Sequence, residues 1–73
     1  MKITIIGAGN MGGAIARGLA KSGMFCESDI TCTAKSSATL EKLRATNPGF
    51  NLLNSNGSAV KDADIVMLAV NHG

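Results

Sequence analysis

The run Gly7-Ala8-Gly9-Asn10-Met11-Gly12 leaves this chain few folds to choose from. It follows Lys2-Ile3-Thr4-Ile5-Ile6, whose β-branched residues read as a strand, and it opens a segment with helical periodicity. A strand passing into a helix through three glycines at this spacing marks the first crossover of a parallel α/β sheet. Gly7 lets the chain leave the strand in a tight turn that a Cβ would obstruct. Gly9 lets the backbone come close to a ligand, and Gly12 lets the helix lie close on the strand. Within the helix, Met11, Ala14, Ile15, Gly18 and Leu19 recur on one face and read as the core-facing row. Gly12, Ala16 and Ala20 form a second row of small residues, which permits close contact between helix and sheet. Arg17 and Lys21 are expected in solvent, and Gly23 ends the helix as a residue free to take left-handed angles.

The rest of the chain continues the alternation. Asp29-Ile30-Thr31-Cys32-Thr33 reads as the second strand. Ser36 or Ser37 caps a second helix running to about Ala45, with Leu40 and Leu43 inward. Asn47-Pro48-Gly49 stops it. Phe50 to Leu53 is a short third strand, and Ser58 to Asp62 a short third helix. Asp64-Ile65-Val66-Met67-Leu68-Ala69-Val70 is an unbroken apolar run after its first residue, the pattern of a strand buried on both faces of a parallel sheet. Right-handed crossovers then give a four-stranded parallel sheet in the order 3-2-1-4 with flanking helices, a partial Rossmann fold. Residues 1–73 are expected to form a single dinucleotide-binding domain.

Composition removes several classes of function. The net charge of +2 is small and unclustered, and Phe25 and Phe50 are the only aromatics, so there is neither a basic stripe nor a stacking platform for nucleic acid. No apolar run reaches the roughly 18–20 residues that span a bilayer. Met1 leads straight into a strand without a leader-like segment, so the expectation is a cytoplasmic protein that contacts no membrane. Cys26 and Cys32 match neither a zinc spacing nor a CxxC pair, and Cys32 alternates with Ile30 as a small buried hydrophobe.

The strand–turn–helix context turns the glycine pattern into a candidate site for a dinucleotide. The free N–H groups and the dipole of the first helix favour its pyrophosphate. Gly7, Ala8, Gly9, Asn10, Met11 and Gly12 are the residues expected there. In an NAD site an acid near the end of the second strand accepts from the ribose hydroxyls. Here the segment reads Ala34-Lys35-Ser36-Ser37, with no acid before Glu41. Lys35 would attract a 2′-phosphate and Ser36 and Ser37 could donate to it, so NADP(H) is expected over NAD(H). Helix capping by the serines and simple exposure of Lys35 are the competing readings.

From Ile5 to Leu19, and again from Asn56 to Val70, the chain resembles the N-terminal NAD(P)-binding domain of pyrroline-5-carboxylate reductases; coenzyme F420-dependent NADP reductases share much of the same pattern. Membership would imply reduction of the cyclic imine 1-pyrroline-5-carboxylate to proline, a step of proline biosynthesis. The resemblance adds Asn56 on the adenosine side, and Ala69 and Val70 beneath the nicotinamide ribose, to the cofactor-binding residues. It also implies a helical substrate and dimerisation domain that these residues do not include. That family usually continues Ala-Val with Lys-Pro, where this chain has Asn71-His72-Gly73, and no residue is assigned a catalytic role. The alternatives are a nucleotide-binding module without chemistry and an inactive truncated homologue. The outer edge of residues 65–70 is expected to invite self-association.

Overall fold

The computed structural model describes residues 1–69. The strands are β1 (Ile3–Ile6), β2 (Ile30–Thr33), β3 (Asn51–Leu53) and β4 (Ile65–Leu68); the helices are α1 (Asn10–Ser22), α2 (Ser37–Thr46) and α3 (Asn56–Val60). All strand pairs are parallel and the order is β3-β2-β1-β4, the expected partial Rossmann sheet. Val70 and the three residues after it lie outside the described residues.

The register explains the core. Leu52, Cys32, Ile5 and Met67 stand side by side across the four strands. With Ile3 and Ile30 one step earlier on the same face, they form the floor on which the core is built. α1 lies on β1 and β2, and α2 on β3. Leu43, Phe50, Ala16, Ala8 and Ala69 complete the buried cluster. On the opposite face Thr4 is buried and donates its hydroxyl to the carbonyl of Ala59 at 2.7 Å, which satisfies it and pins α3 to β1. Glu27, in a single 3-10 turn (Glu27–Asp29), accepts from Gly49 N–H at 2.9 Å and from Asn47 Nδ2 at 3.3 Å. This ties the α2–β3 loop to the entrance of β2.

Four expectations change. The fully buried residues of α1 are Gly12, Gly13 and Ala16, on the small-residue side; of the apolar row Ile15 and Leu19 pack against the core, whereas Met11, Ala14 and Gly18 are exposed. Close approach decides this: a Cβ on Gly13 would stand 3.3 Å from Leu43 Cδ2, so the helix packs by its smallest side chains. β4 is not buried on both faces. Val66 and Leu68 are 44% and 70% exposed. They belong to the face covered by α3, whose five residues are too few to shield the edge of the sheet. The third helix also begins two residues early, at Asn56, and β2 begins at Ile30 because Asp29 closes the 3-10 turn. Gly23 caps α1 with φ 81°, as its position implied.

Cys26 is exposed and Cys32 buried. Burial pushes the Cys32 thiol up to about 11, opposed by the positive charge of Arg17. A thiol reagent at neutral pH is therefore expected to titrate Cys26 quickly and Cys32 only on unfolding. The linkage has a definite sign. The unfolded thiol ionises from about pH 9 while the folded one stays neutral until about 11, so stability falls as pH rises through that window. Denaturant midpoints for the parent and Cys32→Ala chains, measured on both sides of pH 9, check this: the alkaline loss should shrink in the variant.

Candidate functional site

The carboxyl ends of β1, β2 and β4 converge where the chain reverses its direction of sheet growth, with β2 on one side of β1 and β4 on the other. Such a switch point is where open α/β sheets bind ligands. Here it carries a cleft of about 380 Å³ lined by Gly7, Gly9, Asn10, Met11, Ala34, Lys35, Ser36, Thr39 and Ala69.

Each wall has a local cause. Gly7 takes φ 83°, the left-handed angle that turns the chain out of β1. Thr33, at the end of β2, clamps that turn: its carbonyl accepts Ala8 N–H at 2.7 Å and its hydroxyl accepts Gly7 N–H at 3.3 Å. Gly9 N–H bonds the Gly7 carbonyl at 2.8 Å, closing the loop, and Gly9 is the N-cap of α1. Among the described residues no acceptor takes the N–H of Asn10, Met11 or Gly12. A Cβ on Gly9 would meet nothing within 4 Å, so open space lies directly beside the turn. Gly12 is the opposite case: a Cβ there would stand 2.8 Å from the Gly7 carbonyl oxygen and 3.2 Å from the Ala69 side chain. The far wall is Ala69, whose N–H bonds the Ile6 carbonyl at 2.8 Å, extending the β1–β4 ladder beyond the strand. Across the cleft, Ala34 N–H bonds the Leu53 carbonyl at 3.3 Å and carries Lys35 and Ser36 to the rim.

The cleft thus gathers eight of the expected residues: Gly7, Gly9, Asn10, Met11, Ala34, Lys35, Ser36 and Ala69. Ala8 is fully buried behind the turn, and Gly12 sits under it as a spacer. Ser37 is the first residue of α2, and Ser36 is its N-cap without a side-chain capping bond. Asn56, exposed at the start of α3, does not line the cleft, and Val70 lies outside the described residues. Thr39 was missed by the sequence reading, as was the clamp made by Thr33. Both sit at ordinary strand and helix positions, and only register and helix placement bring them to the turn.

Free N–H groups at a helix N-terminus, open space beside a glycine and a lysine on the rim suit a phosphate-bearing ligand. Among the described residues no group of His, Cys, Asp and Glu could hold a metal ion, and no helix is long and apolar enough to cross a membrane. Comparison with known proteins agrees with this geometry. Pyrroline-5-carboxylate reductase 1 of Dictyostelium discoideum is 35% identical over 68 residues, covering 93% of this chain and 12% of that protein. Pyrroline-5-carboxylate reductase of Staphylococcus aureus (strain COL) is 38% identical over 68 residues, covering 93% of this chain and 25% of that protein. The chain therefore spans a quarter or less of the length of these relatives, and the resemblance seen in residues 5–19 is borne out within that span. The model of the family described as "NADP oxidoreductase coenzyme F420-dependent" matches residues 2–73, and this chain belongs to that family.

Proposed function

We propose that residues 1–73 form the NADP(H)-binding domain of a cytoplasmic pyrroline-5-carboxylate reductase-like oxidoreductase, which reduces 1-pyrroline-5-carboxylate to proline in proline biosynthesis. The observation that carries this reading is the cleft itself: an open glycine turn at a helix N-terminus, facing a rim that presents Lys35 and no acid. The N–H groups of Asn10, Met11 and Gly12 hold the pyrophosphate. Lys35, Ser36 and Ser37 receive the 2′-phosphate, Asn56 lies toward the adenosine, and Ala69 and Val70 support the nicotinamide ribose. When bound, the cofactor supplies a hydride to the imine carbon. The residues of this chain bind and orient, and none is assigned to the chemical step. Among the described residues the outer edge of β4 has no strand beside it, and with Ile65, Val66 and Leu68 exposed it offers a second copy a strand to pair with.

Calorimetric titration with NADPH and NADH tests the cofactor assignment. NADPH should bind more tightly. Lys35→Ala should weaken NADPH by roughly ten- to a hundredfold, the loss of about 1.5–3 kcal/mol from one charge-assisted contact, and leave NADH unchanged. An unchanged preference refutes the role of Lys35, and no binding of either nucleotide refutes the whole reading. The description of the family supports a second reading, in which the hydride partner is a deazaflavin coenzyme. Loss of NADPH absorbance with the imine but not the deazaflavin favours the first reading, and the reverse favours the second. Binding without either turnover is the mark of a nucleotide-binding module.

A further inference from the structure

The cleft has a smaller annex. Between α1 and α2 lies a recess of about 110 Å³ that shares Gly9, Asn10 and Thr39 with the cleft and adds Arg17 and Lys42. Buried Leu43 backs it, and no carboxylate lines it. Among the described residues, the ion pair within 4 Å is Arg44–Glu41 at 3.6 Å, so neither Arg17 nor Lys42 has an acidic partner. Arg17 is not a freely waving chain. Its Nε donates to Thr46 Oγ1 at 3.3 Å, and Nη1 lies 3.8 Å from where a Gly13 Cβ would stand. The guanidinium lies along α1 beside Gly13, and its terminal N–H groups remain available to a ligand.

Two cations lining one small recess repel each other, and an anion between them removes the repulsion while gaining charge-assisted hydrogen bonds. The volume suits a small oxyanion and its water, not a nucleoside. We propose that Arg17, Lys42 and the Thr39 hydroxyl form a subsite for a terminal phosphate group, opening from the cleft at Gly9 and Asn10. Two sources share that chemistry: the 2′-phosphate of NADP(H), for which the subsite rests on the function proposed above, and free inorganic phosphate, for which it does not. In the first case, selectivity for the phosphorylated cofactor is divided between Lys35 on the rim and the pair in the annex.

The test titrates the whole chain with NADPH, NADH and inorganic phosphate at low ionic strength, where exposed cations are least screened. Lys42→Gln removes one charge at an exposed position and should leave the melting temperature unchanged. Arg17→Lys keeps its charge and loses the fork. If the 2′-phosphate is the source, Lys42→Gln weakens NADPH about tenfold and leaves NADH unchanged, with a smaller loss in Arg17→Lys. If free phosphate is the source, the same variants weaken inorganic phosphate by a similar factor and neither nucleotide. Equal weakening of NADPH and NADH overturns the proposal, because the cations would then act on a group both share. No change with any of the three ligands also overturns it. Binding of phosphate but of neither nucleotide would sink the dinucleotide reading and leave the annex standing.

Discussion

Gly12→Val is expected to leave the chain largely unfolded at room temperature. A Cβ at this position stands 2.8 Å from the Gly7 carbonyl oxygen, 3.3 Å from the Gly7 carbonyl carbon and 3.2 Å from Ala69 Cβ. The first two are backbone atoms of the turn that Thr33 clamps from β2, so they have nowhere to yield. Overpacking costs about 1–3 kcal/mol where neighbours can shift, and more where they cannot. A domain of this size holds only about 3–5 kcal/mol in total. Valine and glycine differ little in helix propensity, so the loss is one of packing. Gly18→Ala is the control on the same helix. Gly18 is exposed and a Cβ there meets nothing within 4 Å, so this variant should gain about 1 kcal/mol from propensity alone. Far-ultraviolet circular dichroism and urea midpoints read both. A Gly12→Val chain that melts close to its parent would show that α1 can lift off the turn without cost.

The contrast between these two glycines marks what the sequence could reveal. Spacing within Gly7 to Gly12, together with strand residues before it and helical periodicity after it, is enough to place β1, the turn, α1 and the strand order, because few chains satisfy all those conditions together. Lys35 and Ser36 were legible for the same reason: the end of β2 must come to the cleft once the sheet order is known. What the pattern gave only in part was the face of α1. Of the apolar row, Ile15 and Leu19 do pack against the core, but Met11 is exposed, and the fully buried positions are Gly12, Gly13 and Ala16, with Gly13 set against Leu43 of α2. Periodicity weighs transfer from water and does not weigh closeness of approach, which here selects the smallest side chains. β4 failed in a related way. Its apolar run records what the strand would bury if both faces were covered, whereas the cover depends on the length of α3. Arg17 was read as a solvated charge. It is exposed, and it nonetheless lines the annex, because Lys42, Thr39 and Thr46 come to it from a helix twenty or more residues away in the chain.

Gly9→Ala should do the reverse of Gly12→Val: keep the fold and lose the ligand. No atom lies within 4 Å of a Cβ built on Gly9, and its φ of −74° is ordinary for alanine, while its ψ of −143° lies just past the β region, so alanine is accommodated by a rotation of ψ or at a cost of about 1 kcal/mol. As N-cap of α1, alanine is a poorer cap than glycine, at a cost of about 1 kcal/mol or less. The open space is the matter at stake. If it is where the pyrophosphate rests against the free N–H groups of Asn10 and Met11, the new methyl occupies it and holds the phosphates away from those donors. An overlap of about 1–3 kcal/mol corresponds to a loss of roughly ten- to a hundredfold in affinity. Both nucleotides share the pyrophosphate, so NADPH and NADH should weaken together. That separates this variant from Lys35→Ala, which should act on NADPH alone. Calorimetry beside a melting curve supplies the two readouts. Undiminished binding by a folded Gly9→Ala chain would mean that the phosphates do not pass over this turn, and the dinucleotide site would have to be sought elsewhere in the fold.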